Sequence, residues 1–143
     1  MSKIINLQSA ESQEIQLSQA RQMVIMHEGE IYKFFDEGCT RFVYVNDDYT
    51  KVIKMNKDKY TDYNKEEAEI YNKASEEDKV QMCPTKLVVT GFVEQKFVTP
   101  IKYGGKKLNK GQLDFANSCR NEVGWDENGE LVCFDLDEFK KYL

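Results

Sequence analysis

Three short apolar runs at close spacing constrain this chain more than any other feature. Glu30 to Phe35, Arg41 to Val45 and Lys51 to Met55 are rich in β-branched and aromatic residues. Gly38 punctuates the first junction, and Asn46-Asp47-Asp48 supplies turn chemistry at the second, so neighbouring runs pair as hairpins. The expectation is three antiparallel strands in sequence.

A connection from Asn56 to Tyr63 leads into a helix that Asn64 caps, with Glu67 three residues later as its capping-box partner. The helix runs to about Ala74, where Ser75 and Glu76-Glu77-Asp78 mark its exit. After Pro84, Lys86 to Thr90 and Phe92 to Val98 read as two more strands around Gly91. The fold class expected is α+β: a five-stranded antiparallel sheet with one crossing helix.

The remainder is a short helix, Asn109 to Ser118, and a small hairpin. Leu113 shares a helix face with Ala116 or Asn117. Glu122 to Trp125 and Leu131 to Phe134 bracket Asp126-Glu127-Asn128-Gly129, whose Asn-Gly is a strong turn signal. Asp135 to Leu143 closes the chain, with Phe139, Tyr142 and Leu143 packing as a last helical turn. At the other end a helix is expected between Ser9 and Met26, although Glu14 and Arg21 interrupt its apolar series of Leu7, Ala10, Leu17 and Val24. It either packs on the sheet or docks to a partner.

With 143 residues the chain fits one domain. Its segments are 1–28 (helical), 29–100 (sheet and helix) and 101–143 (helix and hairpin). Lys and Arg number 20 against 25 Asp and Glu, a formal net charge of −5 without a basic run, which disfavours nucleic acid as a partner. No apolar stretch reaches the length of a membrane span and no signal peptide is visible, so a cytoplasmic protein is expected. The four cysteines, Cys39, Cys83, Cys119 and Cys133, form no C-x-x-C pair and have one histidine, His27, to join them. No zinc site is expected, and the thiols read as reduced and mostly buried.

Two residues could carry chemistry together. Lys54 lies in an apolar strand, on the face shared with Val52, and must reach water or a carboxylate. Glu67 shares the apolar face of the following helix with Ile70, Tyr71 and Ala74 and is the suitable partner, with Glu66 the weaker one.

The order Glu37-Gly38-Cys39-Thr40-Arg41-Phe42-Val43-Tyr44, Val52-Ile53-Lys54, Glu67 and Phe134-Asp135 resembles the protein-kinase-like superfamily in a minimal, C-terminally truncated bacterial or phage form. The resemblance covers roughly residues 30–137. It implies ATP and Mg²⁺ as ligands: Gly38 letting backbone amides approach a phosphate, Lys54 holding the phosphates with Glu67 as anchor, the backbone from Gln95 to Phe97 meeting adenine, and Asn121 with Asp135 at the metal. Asp137, two residues after Asp135, points the same way in a strand and could share the Mg²⁺, with a plain acidic chain end as the alternative reading. A plain β-turn reading of Gly38 stands beside the phosphate one. Five residues before Asn121 stands Ala116, and five before Glu122 stands Asn117, so the family's catalytic aspartate is missing. Asp114 is the nearest carboxylate and serves as base only if the loop bulges. Too few residues follow Asp137 for a substrate lobe. The function expected is therefore a pseudokinase-like binding or regulatory protein with a protein partner, possibly phage-encoded. An active phosphotransferase or nucleotidyl transferase is the alternative.

Overall fold

The computed structural model describes residues 3–7, 17–57, 61–104 and 106–136. The chain forms two compact units, Met1–Lys65 with Lys86–Gln95, and Glu66–Thr85 with Lys96–Leu143.

The first unit is built on a curled, mixed sheet. Its strands are β1 (Ile4–Asn6), β2 (Val24–His27), β3 (Glu30–Glu37), β4 (Arg41–Asn46), β5 (Lys51–Asn56), β6 (Thr85–Val89) and β7 (Phe92–Lys96), in the order β1-β2-β3-β4-β5-β7-β6. The meander β3-β4-β5 is antiparallel as its turn residues dictate, with a register shift between Phe34 and Asp36. At the β4–β5 turn the Asn46 side chain accepts from the Thr50 and Lys51 amides (2.9 and 3.1 Å) and donates to Glu30 (3.0 Å).

The sheet has seven strands where five antiparallel ones were expected. The difference comes from the N-terminal segment, read as helical. Residues 8–16 lie outside the described residues, Leu17–Gln22 form a 3-10 helix, and Val24–His27 form a strand that pairs in parallel with Ile4–Asn6. Burial explains the outcome. Ile5, Ile25 and His27 face inward while Ile4, Met26 and Asn6 face out, a period of two that a helix cannot satisfy.

On the inner face, Ile5, Ile25, Tyr32, Phe42, Tyr44, Ile53, Met55 and Phe92 form the core. The buried Tyr44 hydroxyl donates to the Ala20 carbonyl at 2.7 Å, tying the 3-10 helix down. After β5 the chain enters α1 (Tyr63–Lys73). Asp62, not Asn64, caps it: its carboxylate accepts from the Lys65 amide at 3.0 Å. Asn64 is displaced into the interior because β5 and the β6–β7 turn present carbonyls there. Its Nδ2 donates to Lys54 O and Gly91 O, both at 2.8 Å, and its own amide donates to Asn56 Oδ1 at 3.2 Å.

The second unit takes up most of α1 and continues through α2 (Glu76–Lys79), α3 (Ile101–Gly104) and α4 (Lys110–Ser118). Asn109 and Gln112 form a reciprocal capping box on α4. The expected hairpin is present as β9 (Val123–Trp125) and β10 (Leu131–Cys133), and β8 (Thr99–Pro100) joins it as a third strand. Gly124 permits that pairing: a Cβ there would sit 2.6 Å from Thr99 O and 2.7 Å from Val98 Cγ2. Ile70, Ala74, Met82, Ala116, Cys119, Val123, Cys133 and Leu136 close the core of this unit. The closing helical turn expected at Phe139, Tyr142 and Leu143 lies outside the described residues.

Replacing Asn64 removes the amide that serves the carbonyls of Lys54 in β5 and of Gly91 in the β6–β7 turn, in a site with no exposure. Asn64→Ala should lower stability by about 2–4 kcal/mol, since it removes three side-chain hydrogen bonds, each worth roughly 0.5–1.5 kcal/mol. Urea denaturation measures it, and a loss below about 1 kcal/mol would show that these bonds do not hold the helix start.

Candidate functional site

Each residue singled out by the resemblance is placed within its own unit. Lys54, on β5, is 4 % exposed and therefore does not snorkel to water. It lies on the sheet face opposite the aromatic core, as alternation requires. Arg41 is on the same face, and its guanidinium donates to Asn64 Oδ1 at 3.4 Å.

Gly38 has an ordinary backbone conformation. Its amide donates to Arg41 O at 2.9 Å, closing the β3–β4 hairpin, so that donor serves the turn. Just before it, Glu37 forms ion pairs with Arg21 and with Lys57 (2.6 Å). Hydrogen bonds from Arg21 and then Lys57 hold its carboxyl below the usual range. Cys39 is exposed at the tip.

Gln95, at the end of β7, is buried. The amide of Lys96 donates to Pro84 O at 3.1 Å, which spends one backbone donor that an adenine would need. Lys96 itself pairs with Glu127.

In the second unit Glu67 is fully buried in α1, and its Oε2 accepts from the Leu136 amide at 2.9 Å. The structure thus brings the helix glutamate to the segment that carries Asp135. Asp135 is half-buried, and its carbonyl accepts from the Cys133 thiol at 3.1 Å. A hydrogen bond with the Cys119 thiol, followed by burial, pushes the Cys133 thiol pKa well above the ordinary value. Asn121 is exposed in a left-handed conformation (φ 63°) and follows Arg120, also left-handed; its amide donates to Ala116 O at 2.7 Å. That bond closes the end of α4 in a tight turn. Asp114 lies on the exposed side of α4, which runs unbroken past it, so the bulge that would re-aim it is absent. Asp137 lies outside the described residues.

A cleft of about 160 Å³ in this unit is lined by Met82, Val98, Asp126 and Val132 among others. Ligand pockets run to roughly 300–1,000 Å³, so it is too small for a nucleotide, and Glu67, Asp114, Asn121 and Asp135 do not line it.

One cluster in the first unit was not legible in the sequence. His27, Glu28 and Glu94 bring one nitrogen and two carboxylate oxygens within 4.8 Å of one another. Its only sequence trace is Glu94 itself, a carboxylate inside the apolar run Phe92 to Val98. No helix among the described residues is long and apolar enough to cross a membrane. Comparison with known proteins finds nothing similar: no family model, no curated protein and no solved structure matches this chain.

The Glu67–Leu136 bond can be read directly. Glu67→Ala should accelerate hydrogen exchange of the Leu136 amide by roughly 10- to 150-fold, the equivalent of about 1.5–3 kcal/mol for a hydrogen bond to a charged group. The Cys133 amide, bonded to Gln81 O at 2.8 Å, is the internal reference. Equal acceleration of both amides would mean the substitution unfolds the unit instead of freeing one bond.

Proposed function

We propose that this chain is a kinase-like binding protein. It holds an adenine nucleotide with Mg²⁺ in a degenerate cleft, does not transfer phosphate, and acts through a protein partner in the cytoplasm, that of the host if the chain is phage-encoded. The observation that carries this reading is the buried Glu67 carboxylate holding the Leu136 amide, one residue after Asp135. The kinase resemblance assigns Glu67 to Lys54 and Asp135 to the metal, and this bond sets the first of those carboxylates beside the segment that carries the second. The element order supports it, since β3, β4 and β5 are followed by α1 and then by β6 and β7.

The departures argue against transfer. A base is needed within hydrogen-bond reach of the acceptor hydroxyl, yet Ala116 and Asn117 occupy its two possible registers and Asp114 is on an exposed helix face. Gly38 spends its amide on its own turn. The partner reading draws on the outer face of β1, β2 and β3. There Ile4, Met26 and Ile31 are exposed, and the register sets Met26 opposite Ile31 and Ile4 opposite Val24. A cluster of exposed apolar side chains is a common mark of protein contact.

Thermal melting with ATP and Mg²⁺, against Mg²⁺ alone, tests the nucleotide reading. A ligand at a hundredfold excess over its Kd adds about 2.7 kcal/mol to apparent stability, so wild type should melt higher and Lys54→Ala should not respond. No shift in wild type removes the nucleotide reading. Phosphate or nucleotidyl transfer from labelled ATP, dependent on Lys54 and Asp135, would instead establish the enzyme.

A further inference from the structure

The turn between β2 and β3 consists of Glu28 and Gly29, both at positive φ (50° and 78°). Two-residue hairpin turns with positive φ at both positions favour Asn-Gly, because asparagine tolerates the left-handed region and other side chains pay about 1–2 kcal/mol. Glu28 is thus held in a conformation its residue type disfavours. Its carboxylate lies beside the preceding residue, with Oε1 3.7 Å from His27 Nε2. Backbone outliers of this kind gather at ligand sites.

Glu94 reaches the same nitrogen from β7, also at 3.7 Å. His27 shares the inner sheet face with Ile25 and Tyr32, while Glu94 shares it with Phe92. His27 is 5 % exposed. Neither of its ring nitrogens, nor Glu94 Oε1, has a hydrogen-bond partner among the described residues. Separations of 3.7 Å are too long for hydrogen bonds, and buried polar atoms are almost always satisfied. Two unsatisfied buried atoms, His27 Nε2 and Glu94 Oε1, facing each other from strands that are not sheet neighbours mark a place prepared for something else.

The geometry points to a divalent transition-metal site of the zinc class, formed by His27 Nε2, Glu28 Oε1 and Glu94 Oε1 with a fourth position open to solvent. Tetrahedral bonds of about 2.0–2.2 Å place ligand atoms roughly 3.4 Å apart, so each carboxylate closes on His27 Nε2 by a few tenths of an ångström, and the two carboxylates start within 4.8 Å of one another. Glu28, half exposed at the turn, has room for that movement. One imidazole with two carboxylates suits zinc and its first-row neighbours, whereas calcium and magnesium take oxygen alone.

Local charge favours a cation. Glu28, Glu30 and Glu94 all act on the Tyr32 hydroxyl, whose pKa burial and these carboxylates raise well above the phenol range. Lys51 is the ammonium facing them. Glu30 is itself occupied by Asn46, Lys51 and the Tyr32 hydroxyl (3.0, 3.0 and 3.4 Å), which leaves the other two carboxylates as donors. The ion would join the β2–β3 turn to β7.

The full chain, treated with chelator, would be titrated with Zn²⁺ by calorimetry and with Co²⁺ by absorption spectroscopy. One saturable ion per chain is expected, with cobalt d–d bands, no thiolate charge-transfer band, and a rise in melting temperature that chelator reverses. His27→Gln and Glu94→Gln should each weaken binding roughly tenfold or more. Glu28→Asn keeps the test independent of folding. It suits the turn, so without metal it should melt at or above wild type, yet bind zinc at least about tenfold more weakly. The proposal fails if no saturable uptake occurs, if the three substitutions leave affinity unchanged, or if a thiolate band appears that Cys39→Ser removes.

Discussion

The first unit depends on a single buried amide. Asn64 has no exposure, and its side chain donates to carbonyls from β5 and from the β6–β7 turn while accepting from Arg41. Three chain segments far apart in sequence are satisfied by one planar group, which fixes where α1 begins relative to the sheet. An apolar residue of similar size would fill the space but take away the donor that the Lys54 and Gly91 carbonyls share, a loss that is costly in a dry interior. The position of β7 beside β5, and therefore of Phe92 and Glu94 on the inner face, rests on this arrangement.

The residues that resemble a kinase fall into two groups. Lys54, Glu67 and Gln95 are buried and embedded in secondary structure. Gly38, Asp114 and Asn121 are exposed at turns or on a helix surface, where the first and last of them spend their amides on closing the chain locally. On the function proposed for this chain, the embedded group would serve positioning, and the exposed group is where the steps that need an aimed base would have been given up.

Much of this architecture was legible in the residues. The β3-β4-β5 meander, α1, the β6–β7 pair, α4 and the β9–β10 hairpin follow from periodicity and turn chemistry, because each is specified by neighbours within about ten residues. Three features were not. Val24 to His27 looked helical because its strand pattern is only four residues long and its partner, Ile4 to Asn6, is distant. Asn64 resembled a cap because capping and burial use the same side chain, and only the tertiary carbonyls decide between them. The His27, Glu28 and Glu94 group joins residues across 67 positions of chain; a search for closely spaced ligand pairs passes over such a set. The elements and faces that Lys54 and Glu67 occupy, by contrast, needed only one strand and one helix to read.

The cysteines carry a practical consequence. Cys83, Cys119 and Cys133 are buried, and Cys133 is held protonated by its surroundings, whereas Cys39 is exposed on the β3–β4 turn. Because the thiolate is the reacting species and access limits its encounters, an electrophilic dye added to the native chain meets one addressable sulfur. The wild-type protein therefore brings its own attachment point for a spectroscopic reporter, located at the hairpin tip beside Gly38.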